Sequence, residues 1–67
     1  MRQIRFNGEL RRVAPGVTLA DLVGDMVDQP QTVATAVNGE FVAREARAGR
    51  ELHDGDAVFT FEAITGG

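Results

Sequence analysis

Few side chains in this sequence could do chemistry, and the stretch that offers most is Thr65-Gly66-Gly67, which ends in a carboxylate. A diglycine has no side chain to pack and no preferred backbone region, so at the end of a fold it adds disorder rather than stability. Without Cβ atoms, such a segment suits a narrow slot in a partner enzyme, where the Gly67 carboxylate would be delivered to a reacting centre. Each extended residue reaches about 3.3–3.6 Å, so three residues reach roughly 10 Å, enough to enter a slot while a folded body stays outside. The competing reading of the same residues is a frayed terminus with no chemical use. Both readings divide the chain into a domain of residues 1–64 and a flexible C-terminal tail of residues 65–67.

The other candidates are poorer. Asp54-Gly55-Asp56 sets two carboxylates around one glycine. It lacks the further ligands of a calcium loop and any cleft for paired acid and base work, so a turn is expected there. His53 is the only histidine and cannot build a zinc site or a catalytic group alone; a surface position beside that turn is expected. There is no cysteine, which excludes a disulfide framework and any thiol chemistry of the chain's own. All seven basic side chains are arginine, so apart from the Met1 amine nothing on another copy could attack an activated acyl group. That composition suits a terminus that becomes an electrophile, and simple compositional bias accounts for it equally well.

Size and charge narrow the classes further. At 67 residues the chain is one domain with a thin core, since a domain near this size buries only about 60% of the surface its unfolded chain exposes. Such a core leaves no room for a deep substrate pocket, and a carrier or binding module fits better than an enzyme. The net charge of −3 argues against an electrostatic nucleic-acid binder. The opening residues lack the apolar run of a signal peptide or membrane span, and the cytoplasm is the expected location.

The elements that would position the tail can be read in order. Arg2 to Phe6 alternates as a half-buried strand, Asn7-Gly8 signals a hairpin, and Glu9 to Val13 returns as a polar edge strand. Arg2, Arg5, Arg11 and Arg12 form either a basic patch or a solvated hairpin surface. Pro15-Gly16 breaks the strand, and Thr18 caps a helix with Asp21 as the capping-box acid. Leu19, Leu22, Val23 and Met26 make its apolar stripe, Asp21, Asp25 and Asp28 lie off that stripe, and Pro30 closes the region. Val33 to Val37 and Glu40 to Val42 form a second hairpin around Asn38-Gly39. Periodicity then fails from Ala43 to His53, where one helical turn around Arg44 to Ala48 and a core plug at Leu52 are expected.

The last strand, Ala57 to Ile64, is the most apolar stretch and should be central. Val58 and Thr60 point one way, and Phe59, Phe61 and Ala63 the other. One helix covers one sheet face, so either Phe59 and Phe61, with Ile64 beside them, form a docking surface next to the tail, or a bulge shifts the register and buries both rings. A helix between two hairpins lets the first and last strands pair in parallel. The expected fold class is α+β in the β-grasp arrangement, with a mixed sheet of four to five strands packed on one α-helix.

These residues resemble a known family along the whole chain. A short first hairpin, a Thr-led helix, Ala36-Val37-Asn38-Gly39-Glu40-Phe41-Val42-Ala43-Arg44, Leu52 with Asp54-Gly55-Asp56, and an apolar strand into Gly66-Gly67 are similar to the ThiS family of bacterial sulfur carriers, within the ubiquitin-like superfamily that also holds MoaD. Ala43 departs from the pattern, which commonly has proline there. The resemblance implies that a ThiF-like adenylyltransferase uses ATP and Mg²⁺ to adenylate the Gly67 carboxylate. Sulfur that originates at a cysteine desulfurase then makes a thiocarboxylate, and a ThiG-like thiazole synthase receives it in thiamine biosynthesis. It implies a carrier that is monomeric when free, binds no cofactor or metal itself, is not a catalyst, and threads Thr65 and Gly66 through the partner's slot. A MoaD-like carrier for molybdopterin or another acceptor, a protein-conjugating modifier, and a non-covalent ubiquitin-like interaction domain are the alternatives.

Overall fold

The computed structural model describes residues 1–62. The expectations placed on Ala63, Ile64, Thr65, Gly66 and Gly67 therefore lie outside the described residues. Strands β1 (Arg2–Phe6) and β2 (Glu9–Val13) form an antiparallel hairpin in register from Arg2 opposite Val13 to Phe6 opposite Glu9. Asn7 and Gly8 turn it at φ of 51° and 87°, the positive values that a two-residue hairpin loop needs to match the strand twist. Strands β3 (Val33–Val37) and β4 (Glu40–Val42) repeat the device through Asn38 and Gly39. Strand β5 (Ala57–Glu62) lies in the middle of a five-stranded sheet of order β2-β1-β5-β3-β4, parallel to β1 and antiparallel to β3.

Helix α1 (Leu19–Met26) crosses one face of this sheet. Its start is fixed by a reciprocal pair: the Asp21 N–H donates to Thr18 Oγ1 at 3.2 Å, and the Thr18 N–H donates to Asp21 Oδ2 at 3.0 Å. Two of the amide donors at the helix entrance are thereby satisfied without water. Leu19, Leu22 and Val23 are buried on the sheet, but Met26, the fourth member of the expected stripe, is 38% exposed. The helix stops at Met26 because Pro30 has no N–H for the Met26 carbonyl and its ring would crowd that group. The chain extends at Val27, which packs against the core in place of Met26.

Between α1 and the sheet lie Ile4, Phe6, Val13, Leu19, Leu22, Val23, Val37, Leu52 and Val58. Leu52 reaches them from the connecting segment as a fully buried plug, tied by its N–H to the Val17 carbonyl at 2.9 Å. That segment holds a six-residue 3₁₀ turn, Arg44–Gly49, and a shorter one, Pro30–Thr32, leads into β3.

One arginine of the connecting segment is buried, which the failed periodicity gave no reason to expect. Arg47 is 4% exposed, and its guanidinium donates to Thr35 Oγ1 at 3.0 Å, to the Pro30 carbonyl at 3.0 Å and to the Val33 carbonyl. Thr35 in turn donates to the Val42 carbonyl at 2.8 Å, so one cation links both 3₁₀ turns to β3 and β4. Burial lowers the Arg47 pKa, the Arg44 charge lowers it further and Glu45 opposes them. Arginine starts so far above neutrality that the charge persists. Arg47→Ala is expected to cost about 3 kcal/mol of unfolding free energy, because buried carbonyls lose their donors. Arg47→Lys should recover only part, since an ammonium cannot reproduce the planar fork. Urea titration measures both, and an Arg47→Ala loss below about 0.5 kcal/mol contradicts the clamp.

Candidate functional site

The strand that leads toward the C-terminal residues is β5, and alternation gives it two different faces. Val58 is fully buried toward α1, whereas Phe59 and Phe61 point away from the helix and remain 43% and 55% exposed. The pairing with β3 runs without interruption from Val37 opposite Val58 to Val33 opposite Glu62, so no bulge turns the rings inward. Of the two readings drawn from the sequence, the uncovered row is the one the register supports.

Sequence reasoning missed the third ring of this face. Ala36 lies opposite Phe59 on one side and Phe41 on the other, so the three residues share one row across β5, β3 and β4. Phe41 is 72% exposed. Ala34 stands opposite Phe61 in the next row. The small alanines leave the rings standing above the sheet, and the result is a contiguous apolar surface of Phe41, Phe59 and Phe61 with a floor of methyl groups. Counting alternation through the Asn38-Gly39 turn would have found it, because Val37 opposite Glu40 puts Phe41 on the Phe59 side.

The same face continues over the first hairpin, where Gln3 lies opposite Arg12 and Arg5 opposite Leu10. With Met1 and Asp54 these residues line a shallow concavity of about 600 Å³. The four arginines of the hairpin do not form one patch. Arg5 and Arg12 lie on this outer face, while Arg2 and Arg11 alternate to the other side and meet Glu51 and Glu9. The hydrogen bond from Arg2, foremost, and its charge hold the Glu51 carboxyl below the usual value. His53 is exposed beside them, its Nε2 at 3.9 Å from Glu51 Oε2.

The carboxylates of the Asp54-Gly55-Asp56 turn serve the backbone separately. Asp54 Oδ1 accepts from the Gln3 N–H at 2.6 Å. Asp56 is buried, with Oδ2 accepting from the His53 N–H at 2.8 Å and Oδ1 from Asn38 Nδ2 at 2.9 Å. Both groups are thus committed to aligning the entry of β5, which is the turn reading and not an acid/base pair. Among the described residues no three His, Cys, Asp or Glu side chains gather where a metal ion could sit.

Both turn asparagines also grip β5. Asn38 Oδ1 accepts from the Ala57 N–H at 3.0 Å, and the Asn38 N–H donates to the Ala57 carbonyl at 2.8 Å. On the other flank the Asn7 N–H donates to the Val58 carbonyl at 2.8 Å, and the Asn7 carboxamide meets Thr60 twice. The site residues expected from the sequence divide accordingly: Phe59 and Phe61 lie together on the outer face, and Ile64, Thr65, Gly66 and Gly67 follow beyond the described residues.

The chain matches a family model described as the ThiS family over residues 4–67. It is 34% identical over 65 residues to the sulfur carrier protein ThiS of Escherichia coli strain K12, a match that covers 97% of this chain and 98% of that protein. It is also similar to the crystal structure of the thiamine biosynthesis protein ThiS from Geobacter metallireducens, with a TM-score of 0.84 and 31% identity over 97% of this chain and 99% of that one.

The Asp56 cap carries a pH signature. Burial alone would raise its carboxyl, yet the His53 amide, the Asn38 amide and the Arg50 and His53 charges hold it below the ordinary aspartate value. A depressed folded pKa gives stability that is complete above the unfolded value of about 3.9 and lost as pH falls through the folded one. Asp56→Asn should therefore lower stability by about 2 kcal/mol at neutral pH, with the gap to the unmodified chain closing below about pH 4. Melting curves across that range test this, and a gap independent of pH contradicts it.

Proposed function

Because the chain belongs to the ThiS family, we propose that it is a sulfur carrier of thiamine biosynthesis whose Gly67 carboxylate is the group that is turned over. The observation that carries this reading is the length of the likeness: the family match runs from residue 4 through Gly67, and the structural likeness covers 97% of the chain. A carboxylate at neutral pH is a poor electrophile. A ThiF-like adenylyltransferase supplies ATP and Mg²⁺; a Gly67 oxygen attacks the α-phosphorus, pyrophosphate leaves, and the terminus becomes an acyl adenylate.

A persulfide sulfur, replenished by a cysteine desulfurase, then displaces AMP from the acyl carbon. The new bond joins carbon to sulfur in an acyl disulfide; a thiol then breaks the S–S bond that the persulfide brought with it, is itself taken into a disulfide, and leaves a thiocarboxylate on Gly67. A ThiG-like thiazole synthase takes the sulfur: the acyl C–S bond breaks, and an oxygen from the acceptor or from water restores the carboxylate. The chain itself contributes the acyl group, a segment without side chains at Gly66 and Gly67, and a docking face; the reacting side chains and the nucleotide site belong to its partners. Phe59 and Phe61 form the centre of that face with Ile64 next in line, and Phe41 extends it across the sheet, in keeping with the aromatic enrichment of interface centres.

Two variants separate the tail from the face. Gly66→Val should leave the melting temperature unchanged and abolish pyrophosphate exchange with the adenylating partner, because a branched side chain blocks the slot; normal exchange would refute the threading step. Phe59→Ser should keep the maximal exchange rate and raise the KM for the carrier by about thirtyfold, the loss of a central aromatic contact worth about 2 kcal/mol. An unaltered KM would place docking elsewhere.

A further inference from the structure

Strand β1 pairs with β5 at only two positions, Arg5 with Ala57 and Phe6 with Val58, before it turns away at Asn7. The even-numbered residues of β5 direct their peptide groups to that side, since Val58 accepts from the Asn7 N–H and Thr60 donates to the Asn7 side chain. Thr60 would meet the next residue of β1 had the strand continued. In its place stands the Asn7 carboxamide, with Oδ1 accepting from the Thr60 N–H at 2.9 Å and Nδ2 donating to Thr60 Oγ1 at 3.0 Å. The carboxamide oxygen supplies the acceptor that the next ladder bond needs after the backbone has turned away, while its NH2 group holds the Thr60 hydroxyl. The turn alone does not require this, because a glycine adopts the Asn7 φ of 51° at least as readily.

We infer that Asn7 is a positioning residue for the delivery of Gly67: its side chain anchors β5 at Thr60, seven residues before the carboxylate that a partner must receive. The inference rests on the carrier reading above, in which Gly67 must be delivered to a partner's reacting centre. Asn7 acts on delivery and not on docking. The Phe59 and Phe61 row is held from the other flank by the β3 pairing, which Asn7 does not touch.

The test uses the full chain, a ThiF-like adenylating enzyme and ATP, with pyrophosphate exchange as the readout. Asn7→Gly keeps the turn and removes the carboxamide. It should lower kcat about tenfold while the KM for the carrier stays within about twofold, as a small misplacement of a reacting group does. The Thr60 amide should lose its protection from hydrogen exchange by about tenfold. Asn7→Asp retains an acceptor for the Thr60 N–H, accepts from the Thr60 hydroxyl through its second oxygen, and tolerates positive φ; it should restore kcat to within about twofold. Thr60→Val, which removes one of the two bonds without touching the turn, should show an intermediate loss of about threefold and decides the matter if Asn7→Gly fails to fold. Unchanged kcat in Asn7→Gly, or a raised KM with kcat intact, overturns the inference alone. A wild-type chain that supports no exchange with an enzyme proven active on another carrier overturns the carrier reading and the inference with it.

Discussion

Two residue pairs, Arg5 with Ala57 and Phe6 with Val58, join the first strand to the last in parallel. A parallel join cannot be closed by a tight turn, so everything between the two strands serves as the crossover and must return across one face of the sheet. Helix α1, the second hairpin and the 3₁₀ segment are that crossover. Closing so long a loop costs entropy that few local contacts offset, and the burial of Ile4, Phe6 and Val58 under Leu19, Val23 and Leu52 is what makes the join hold. It also places β5, the strand nearest Gly67, in the middle of the sheet, the position with neighbours on both sides.

The same constraint leaves the other face bare. Among the described residues there is one α-helix, of eight residues, and it covers the inner side of the five strands. Phe41, Phe59 and Phe61 are therefore exposed as a consequence of the architecture, two of them on β5 itself. For a sulfur carrier that interacts with partner enzymes, the body thus offers one apolar face beside a packed core. Polar clamps keep the body rigid. Arg47 ties the crossover to β3, while Asp56, Asn38 and Asn7 hold β5 at its entry and midway along its length.

What could be read from the residues was local. Asn7-Gly8, Asn38-Gly39 and the Thr18–Asp21 capping box act over a few residues, and the structure places each where composition says it belongs. The central place of β5 and the plug at Leu52 were legible from apolar content. What escaped depends on distant partners. Nothing near Arg47 in sequence announces that the Pro30 and Val33 carbonyls will converge on it. Met26 fits the stripe by spacing, but it is the last residue of the helix and Val27 packs against the core in its place. The asparagines were legible as turn formers and illegible as clamps, because Thr60 and Ala57 approach them only when the sheet is complete. For the candidate site, Phe59 and Phe61 followed from alternation, whereas Phe41 required the register of β4.

The central claim is that the Gly67 carboxylate is the group that carries sulfur, and intact-mass spectrometry tests it most directly. The chain is incubated with a ThiF-like enzyme, ATP, Mg²⁺, cysteine, a desulfurase and a thiol reductant, then weighed beside a form that lacks Gly67. The expected result is a mass increase equal to replacing one oxygen by sulfur, present in the full chain and absent without Gly67. An unchanged mass, with both enzymes shown to be active on another carrier, would contradict it.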